Sequence, residues 1–182
     1  MRLIPSLVAI GFASAAFALP AASDPSTETA SELVEERSQM TAEIAQSLWD
    51  WAEVGYQETQ SSKLLQDQLA AEGFTIEAGV ADIPTAFIAE YGSGGPIIAI
   101  LAEMDALPGI NQDASPTREP IENKHAGQAC GHNLFGAGSV SAAVAIRHWL
   151  EDTGTEGTVR LYGTPAEEGG SGKVYMVRAG LF

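Results

Sequence analysis

The sequence predicts a layered α/β domain, a mixed sheet with helices on both faces. Segments with apolar residues at helical spacing alternate along the chain with short alternating or wholly apolar runs, the pattern of helices interleaved with strands. One run, Pro96 to Ala102, is apolar throughout, which is typical of a buried central strand. The segment Asn133 to Leu150 begins with Gly136, Ala137, Gly138 and Ser139, small residues that let a helix lie close against a sheet.

The elements follow in order. Leu33, Met40, Ile44, Leu48 and Trp51 mark one face of a first helix from about Ser31 to Glu53, with a capping-box pattern at Thr29–Glu32. Leu64, Leu65 and Leu69 mark a second, stopped by Gly73. Phe74 to Glu77 alternates, and Thr85 to Tyr91 is rich in β-branched and aromatic residues, so both are expected strands. Gly92 to Gly95 reads as a hairpin turn leading into Pro96–Ala102. A polar loop then runs from Glu103 to about Gly131, a length that often signals function. After the small-residue helix come a strand at Thr158–Tyr162, a glycine-rich loop at Gly163–Gly172, and a helix from Lys173 stopped at Gly180.

Composition narrows the function classes. Nine Lys plus Arg against 24 Asp plus Glu give a formal charge of −15, a field that repels phosphate backbones and anionic lipid, so a nucleic-acid partner is not expected. At 45% hydrophobic and 18% charged residues, the 182-residue chain has the material for a core. A single cysteine, Cys130, forms no disulfide within the chain.

Met1-Arg2 followed by the apolar stretch Leu3–Leu19, with Ala16 and Ala18 as a small-x-small pair, has the pattern of a signal peptide over 1–18. A membrane anchor is the other reading, but a spanning helix needs ~20 apolar residues, and Pro5 and Pro20 bracket a shorter run. The expected organisation is a signal peptide at 1–18, a flexible leader at 19–30 and a folded domain at 31–182. The mature protein is then exported, periplasmic or extracellular, and away from the membrane after cleavage.

Cys130-Gly131-His132 stands where the polar loop meets the small-residue helix. Thiolate and imidazole are good zinc ligands, and Gly131 permits the tight backbone that turns both toward one point. In isolation, a buried cysteine beside a surface histidine explains the pair equally well. Glu167-Glu168 in a glycine-rich loop after a strand repel each other unless a cation or proton holds them, and Glu103 and Asp105 follow another strand in the same way. Ligand sites gather at the carboxyl ends of strands in open α/β sheets, which makes these residues one constellation. Gly170-Ser171-Gly172-Lys173 is not a phosphate loop, because Glu167 stands at the required upstream glycine and Val174 follows the lysine. No Gly-x-Ser-x-Gly elbow occurs. His125 lies in the polar loop and is a weaker candidate; His148 is an expected surface residue.

Leu101–Gly109, Ala129–Asn133 and Pro165–Lys173 resemble, in order, three signature blocks of metal-dependent amidohydrolases related to aminobenzoyl-glutamate hydrolase. These belong to the zinc-peptidase-like superfamily of aminoacylases, hippurate hydrolases and glutamate carboxypeptidases. Trp51–Glu58 is similar to that family's N-terminal helix exit. The resemblance implies a zinc-peptidase-like catalytic domain using two divalent metal ions, zinc or manganese, to hydrolyse N-acyl or N-aroyl amino acids or short peptides. It implies Cys130 as a bridging ligand, His132 and Glu168 as terminal ligands, Glu167 as general base and Asp105 as a support; Glu103 stands where many relatives have Asp. Relatives carry two further His ligands and a dimerisation domain past the point where this chain ends. The chain is therefore expected to be an incomplete N-terminal part, inactive alone, of a homodimer. The rival expectation is a non-catalytic exported binding protein that keeps the fold.

Overall fold

A computed structural model describes residues 25–182. The expected signal segment and leader residues 19–24 lie outside the described residues. Helix α1 (Pro25–Glu36) begins within the expected leader, with proline in the first helical turn, where its missing N–H costs nothing. The single helix expected to Glu53 is instead two, because the chain breaks at Arg37 before α2 (Ser38–Trp51). Arg37 turns its guanidinium to Glu72, 2.6 Å away. Ile44 and Leu48 are buried as expected, whereas Met40 and Trp51 lie toward solvent.

Helix α3 (Thr59–Ala71) is capped from outside: Glu53 accepts the amides of Gln60 at 3.1 Å and Ser61 at 2.8 Å, pairing a carboxylate with the positive end of the helix. Gly73, with φ +84°, makes the turn out of this region.

Strands β1 (Thr75–Ala78), β2 (Phe87–Ser93), β3 (Ile97–Ala102) and β6 (Gly157–Gly163) form one sheet in the order β1-β2-β6-β3; β4 (Leu107–Pro108) and β5 (Ala126–Gly127) make a small ladder in the long loop. β1 and β2 are antiparallel, β2 and β6 antiparallel, and β3 and β6 parallel, so the sheet is mixed as predicted. One expectation is corrected. Gly92–Gly95 is not a hairpin turn, because β6 lies between β2 and β3. Among the described residues β3 has one strand neighbour, β6, and Ile97 and Ile98 are 54% and 47% exposed.

Alternation along the strands divides the core into two layers. Phe87, Ala89, Ala102, Val159 and Leu161 pack with Leu48, Leu65, Leu69, Val140 and Val144 from α2, α3 and α4 (His132–Thr153). After β6 the chain makes the single turn α5 (Glu167–Gly170) and then α6 (Gly172–Arg178). The intervening strand residues Ile88, Leu101 and Tyr162 pack with Val80 and Ile83, and with Met176 of α6. Helices therefore cover both faces. The small residues of α4 act as predicted: a Cβ on Gly136 would stand 2.7 Å from the Glu103 carbonyl oxygen, so only glycine permits this approach to the end of β3.

Candidate metal centre

The site forms where β3 and β6 end. These strands are parallel, with Ala102 paired to Gly163, so Glu103–Asp105 and Thr164–Glu168 leave the sheet side by side at its carboxyl edge. Gly131, at φ +88°, turns the long loop into α4, and His132 enters from that side as the first residue of the helix.

Six sequence-predicted residues meet here. His132 is 4% exposed and Cys130 is exposed, the reverse of a buried thiol beside a surface imidazole. The imidazole Nδ1 lies 3.0 Å from the Asp105 carbonyl oxygen and 3.1 Å from Asp105 Oδ1. Its Nε2 faces three other carboxylates: Glu103 Oε2 at 2.9 Å, Glu168 Oε1 at 3.8 Å and Glu167 Oε2 at 3.9 Å. Lys173 pairs with Glu103 from the far side. The Glu168 amide donates to Asp105 Oδ2 at 2.9 Å, joining the two strand-end loops.

The electrostatics follow from this crowding. The Asp105 hydrogen bond raises the His132 pKa against the opposing effect of burial. Burial pushes Asp105 up, but the His132 hydrogen bond and the amides of Glu168 and Glu167 outweigh it and hold the carboxyl below its ordinary value. The Cys130 thiol is pushed up by its hydrogen bond to Glu168 and by the charge of that carboxylate.

A cation fits this set. Cys130, His132 and Glu168 offer ligand atoms within 4.8 Å of one another, and Glu103, His132 and Glu167 form an overlapping group under the same limit. Donors at about 2.0–2.3 Å from a zinc-like ion lie no more than about 4.6 Å apart, so little contraction is needed. Glu168 Oε1 is buried without a hydrogen-bond partner, a costly state that coordination would relieve. A cavity of about 390 Å³, lined by Tyr56, Asp105, Pro108, Glu168 and Gly170 among others, opens beside the cluster.

His125 is exposed and does not join these groups. His148 is half-buried on α4, bonded to Glu72 at 3.2 Å. Sequence reasoning missed Gln128 and Glu58. Gln128 accepts the Asn133 amide at 3.1 Å and donates to the Met104 carbonyl at 3.3 Å, tying the Cys130 turn to the end of β3. Glu58 accepts the Ala166 amide at 2.8 Å, next to Glu167. Its only sequence signal was its place in the Trp51–Glu58 block.

A mixed sheet between helices thus gathers thiol, imidazole and carboxylates at parallel strand ends, a donor set suited to a divalent metal ion. Residues 99–182 match Peptidase family M20/M25/M40. Over 155 residues the chain is 46% identical to a p-aminobenzoyl-glutamate hydrolase subunit of Escherichia coli (strain K12), covering 83% of this chain and 32% of that protein. It is 30% identical over 166 residues to Xaa-Arg dipeptidase of Mus musculus, covering 84% of this chain and 35% of the relative. The crystal structure of a dinuclear metal-binding M20-family peptidase of Bacillus subtilis superposes with a TM-score of 0.61 at 26% identity, over 85% of this chain and 40% of that one. Residues 99–182 are thus a domain of peptidase family M20/M25/M40, in accord with the three sequence blocks. The chain spans about a third of the length of these two curated relatives.

Proposed function

We propose that the protein is a metal-dependent amidohydrolase that cleaves the amide bond of N-acyl or N-aroyl amino acids, aminobenzoyl-glutamate among them, or of short peptides. The observation that carries this reading is the convergence of Cys130, His132 and Glu168 within 4.8 Å, with a buried Glu168 oxygen among them that accepts no hydrogen bond. Family membership supports it: the substrates named for the p-aminobenzoyl-glutamate hydrolase and for the dipeptidase share an amide nitrogen that belongs to an amino acid with a free carboxylate.

Cys130, His132 and Glu168 are the proposed ligands for two divalent ions, zinc or manganese, with zinc the better match to sulfur. When bound, such ions acidify a water and polarise the scissile carbonyl. The remaining work belongs to the chain's own residues. Asp105 accepts from His132 Nδ1–H and so keeps Nε2 directed at the carboxylates. Glu167, with its side chain 43% exposed, stands at the mouth of the site, where it takes a proton from water and returns it to the leaving amine. Lys173 offsets the charge of Glu103. The net charge of −15 gives an anionic substrate no long-range attraction, so recognition of its carboxylate falls to local cations.

Two further features belong to this proposal. The basic start, apolar stretch and small-x-small pair support export to the periplasm or exterior, and among the described residues no helix is long and apolar enough to cross a membrane. The full-length protein is proposed to be a homodimer. The test of function is amide hydrolysis by the metal-loaded full chain on a series of N-aroyl and N-acyl amino acids and dipeptides, with and without chelator. Turnover lost on chelation and restored by metal is expected; absence of turnover on the whole series would overturn the proposal.

A further inference from the structure

The segment between α2 and α3 touches both strand-end loops of the site while contributing none of the proposed ligands. The Glu53 carbonyl accepts the Ala106 amide at 2.8 Å, beside Asp105. A Cβ on Gly55 would stand 2.9 Å from Ala166 Cα. The Tyr56 hydroxyl donates to the Gly170 carbonyl at 2.5 Å. Glu58 is the fully buried member, 0% exposed, and it reaches the residue immediately before the two central carboxylates.

Two facts about Glu58 are unusual together. A buried carboxylate is costly unless paired, and among the described residues no basic side chain pairs with it. Its partners are the Thr85 hydroxyl, donating at 2.9 Å to one oxygen, and the Ala166 amide, donating at 2.8 Å to the other. Ala166 is itself strained: it is a non-glycine residue at φ 56°, ψ 44°, in the left-handed region. Its carbonyl accepts the amides of Gly170 at 3.1 Å and Gly172 at 3.3 Å, so the whole turn carrying Glu167 and Glu168 is wound on this one residue.

We infer that Glu58 is a positioning residue: by holding the Ala166 amide it keeps Ala166 left-handed and aims the Glu167–Glu168 turn at Cys130 and His132. The inference rests on the metal-site reading above. It assigns Glu58 no contact with substrate or metal. Its action is through the backbone, as an outer partner that orients ligands.

The test is a cobalt titration of the full chain, following the thiolate-to-cobalt absorption and the visible ligand-field bands, beside thermal melts without metal. Glu58→Gln retains an acceptor for the Ala166 amide and is expected to bind cobalt within about threefold of the parent, well short of the tenfold-or-greater losses that follow loss of an outer partner. Glu58→Met fills the space without an acceptor and is expected to weaken binding roughly 10- to 100-fold. Thr158→Val is the control: it removes the bond to the Gly94 carbonyl at the end of β6 away from the turn, and is expected to lower the melting temperature with cobalt affinity unchanged. Parent-like affinity in Glu58→Met, or an equal loss in Thr158→Val, would overturn the inference while leaving the metal site standing. A parent chain with no thiolate band would overturn the metal-site reading and this inference with it. Should Glu58→Met fail to fold, hydrogen exchange at the Ala166 amide decides: protection in the parent and in Glu58→Gln supports the role, and open-loop exchange in the parent overturns it.

Discussion

His132 and Asp105 are joined twice: Nδ1 of the imidazole lies 3.0 Å from the Asp105 backbone oxygen and 3.1 Å from its carboxylate. A ring held at one nitrogen by both the main chain and the side chain of a single residue has no freedom to rotate, and its second nitrogen is committed to the carboxylate cluster.

Loss of that hold is the first expectation. Asp105→Ala removes the carboxylate but leaves the backbone oxygen, so His132 keeps a weaker bond and a looser ring. Metal affinity is expected to fall roughly 10- to 100-fold, the usual effect of removing an outer partner of a ligating histidine. Equilibrium dialysis against zinc with parent and variant checks this; equal affinities would remove Asp105 from the support of the site.

The adjacent carboxylates are expected to fail differently. Glu167→Gln retains metal and fold but loses turnover by roughly two to four orders of magnitude, the worth of general acid-base assistance. Glu168→Gln loses metal, with activity partly regained at high metal concentration. Metal titration beside steady-state kinetics on the two variants separates the roles, and full activity in both would sink the mechanism.

Cys130 is exposed, yet its thiol pKa lies above the ordinary 9.0 because Glu168 bonds to it and repels the thiolate. In the metal-free chain the thiolate therefore appears only at more alkaline pH than for a free cysteine. Glu168→Gln removes the charge and shifts the pH profile of iodoacetamide alkylation to lower pH. A profile that does not move would show that Glu168 is not what holds the proton.

Burial places the Glu58 carboxyl above its ordinary 4.5, in spite of the amides that donate to it. Between that value and the raised folded one, the native chain holds a proton that the unfolded chain has released. The contribution of Glu58 to stability therefore falls as pH rises through this window. Relative to the parent, Glu58→Gln is expected to gain melting temperature with rising pH across it; a difference independent of pH would contradict the assignment.

The β3 edge yields the last expectation. Ile97 and Ile98 are 54% and 47% exposed on a strand with one side unpaired among the described residues, an arrangement prone to edge-to-edge association. The 182-residue chain alone is expected to self-associate with rising concentration, and Ile97→Lys with Ile98→Lys to suppress this, as read by light scattering. Unchanged association in the double variant would place the contact elsewhere.

What could be read from the sequence followed the range of the interaction. Glu167 and Glu168 stood out because adjacent carboxylates are costly without a cation or proton, and Cys130 and His132 because two metal-binding groups flank one glycine; the structure brings both pairs together. The helix ends at Gly73 and Gly180 were legible because both glycines take positive φ. The order of the strands was not, because an apolar strand such as β3 does not show in its own residues that β6, and not β2, is the strand beside it. Nor was Glu58: one acid among 24 acidic residues, its meaning lies in an amide 108 positions away.

The strand order has a consequence for how the molecule is made. β2 and β3 are separated in the sheet by β6, which is synthesised after both, so β2 can pair early with β1 but cannot be joined to β3 until residues 157–163 have emerged. Until then, among the described strands, β3 has no partner and the loop carrying Glu103 and Asp105 has no fixed edge from which to project. Insertion of one late strand zips both neighbours at once, closing contacts of long sequence separation in a single event, and this favours slow, cooperative folding. Assembly of the proposed metal-binding cluster is thereby tied to β6, and a nascent chain stalled before Gly157 holds Cys130, His132, Glu103 and Asp105 without Glu167 and Glu168.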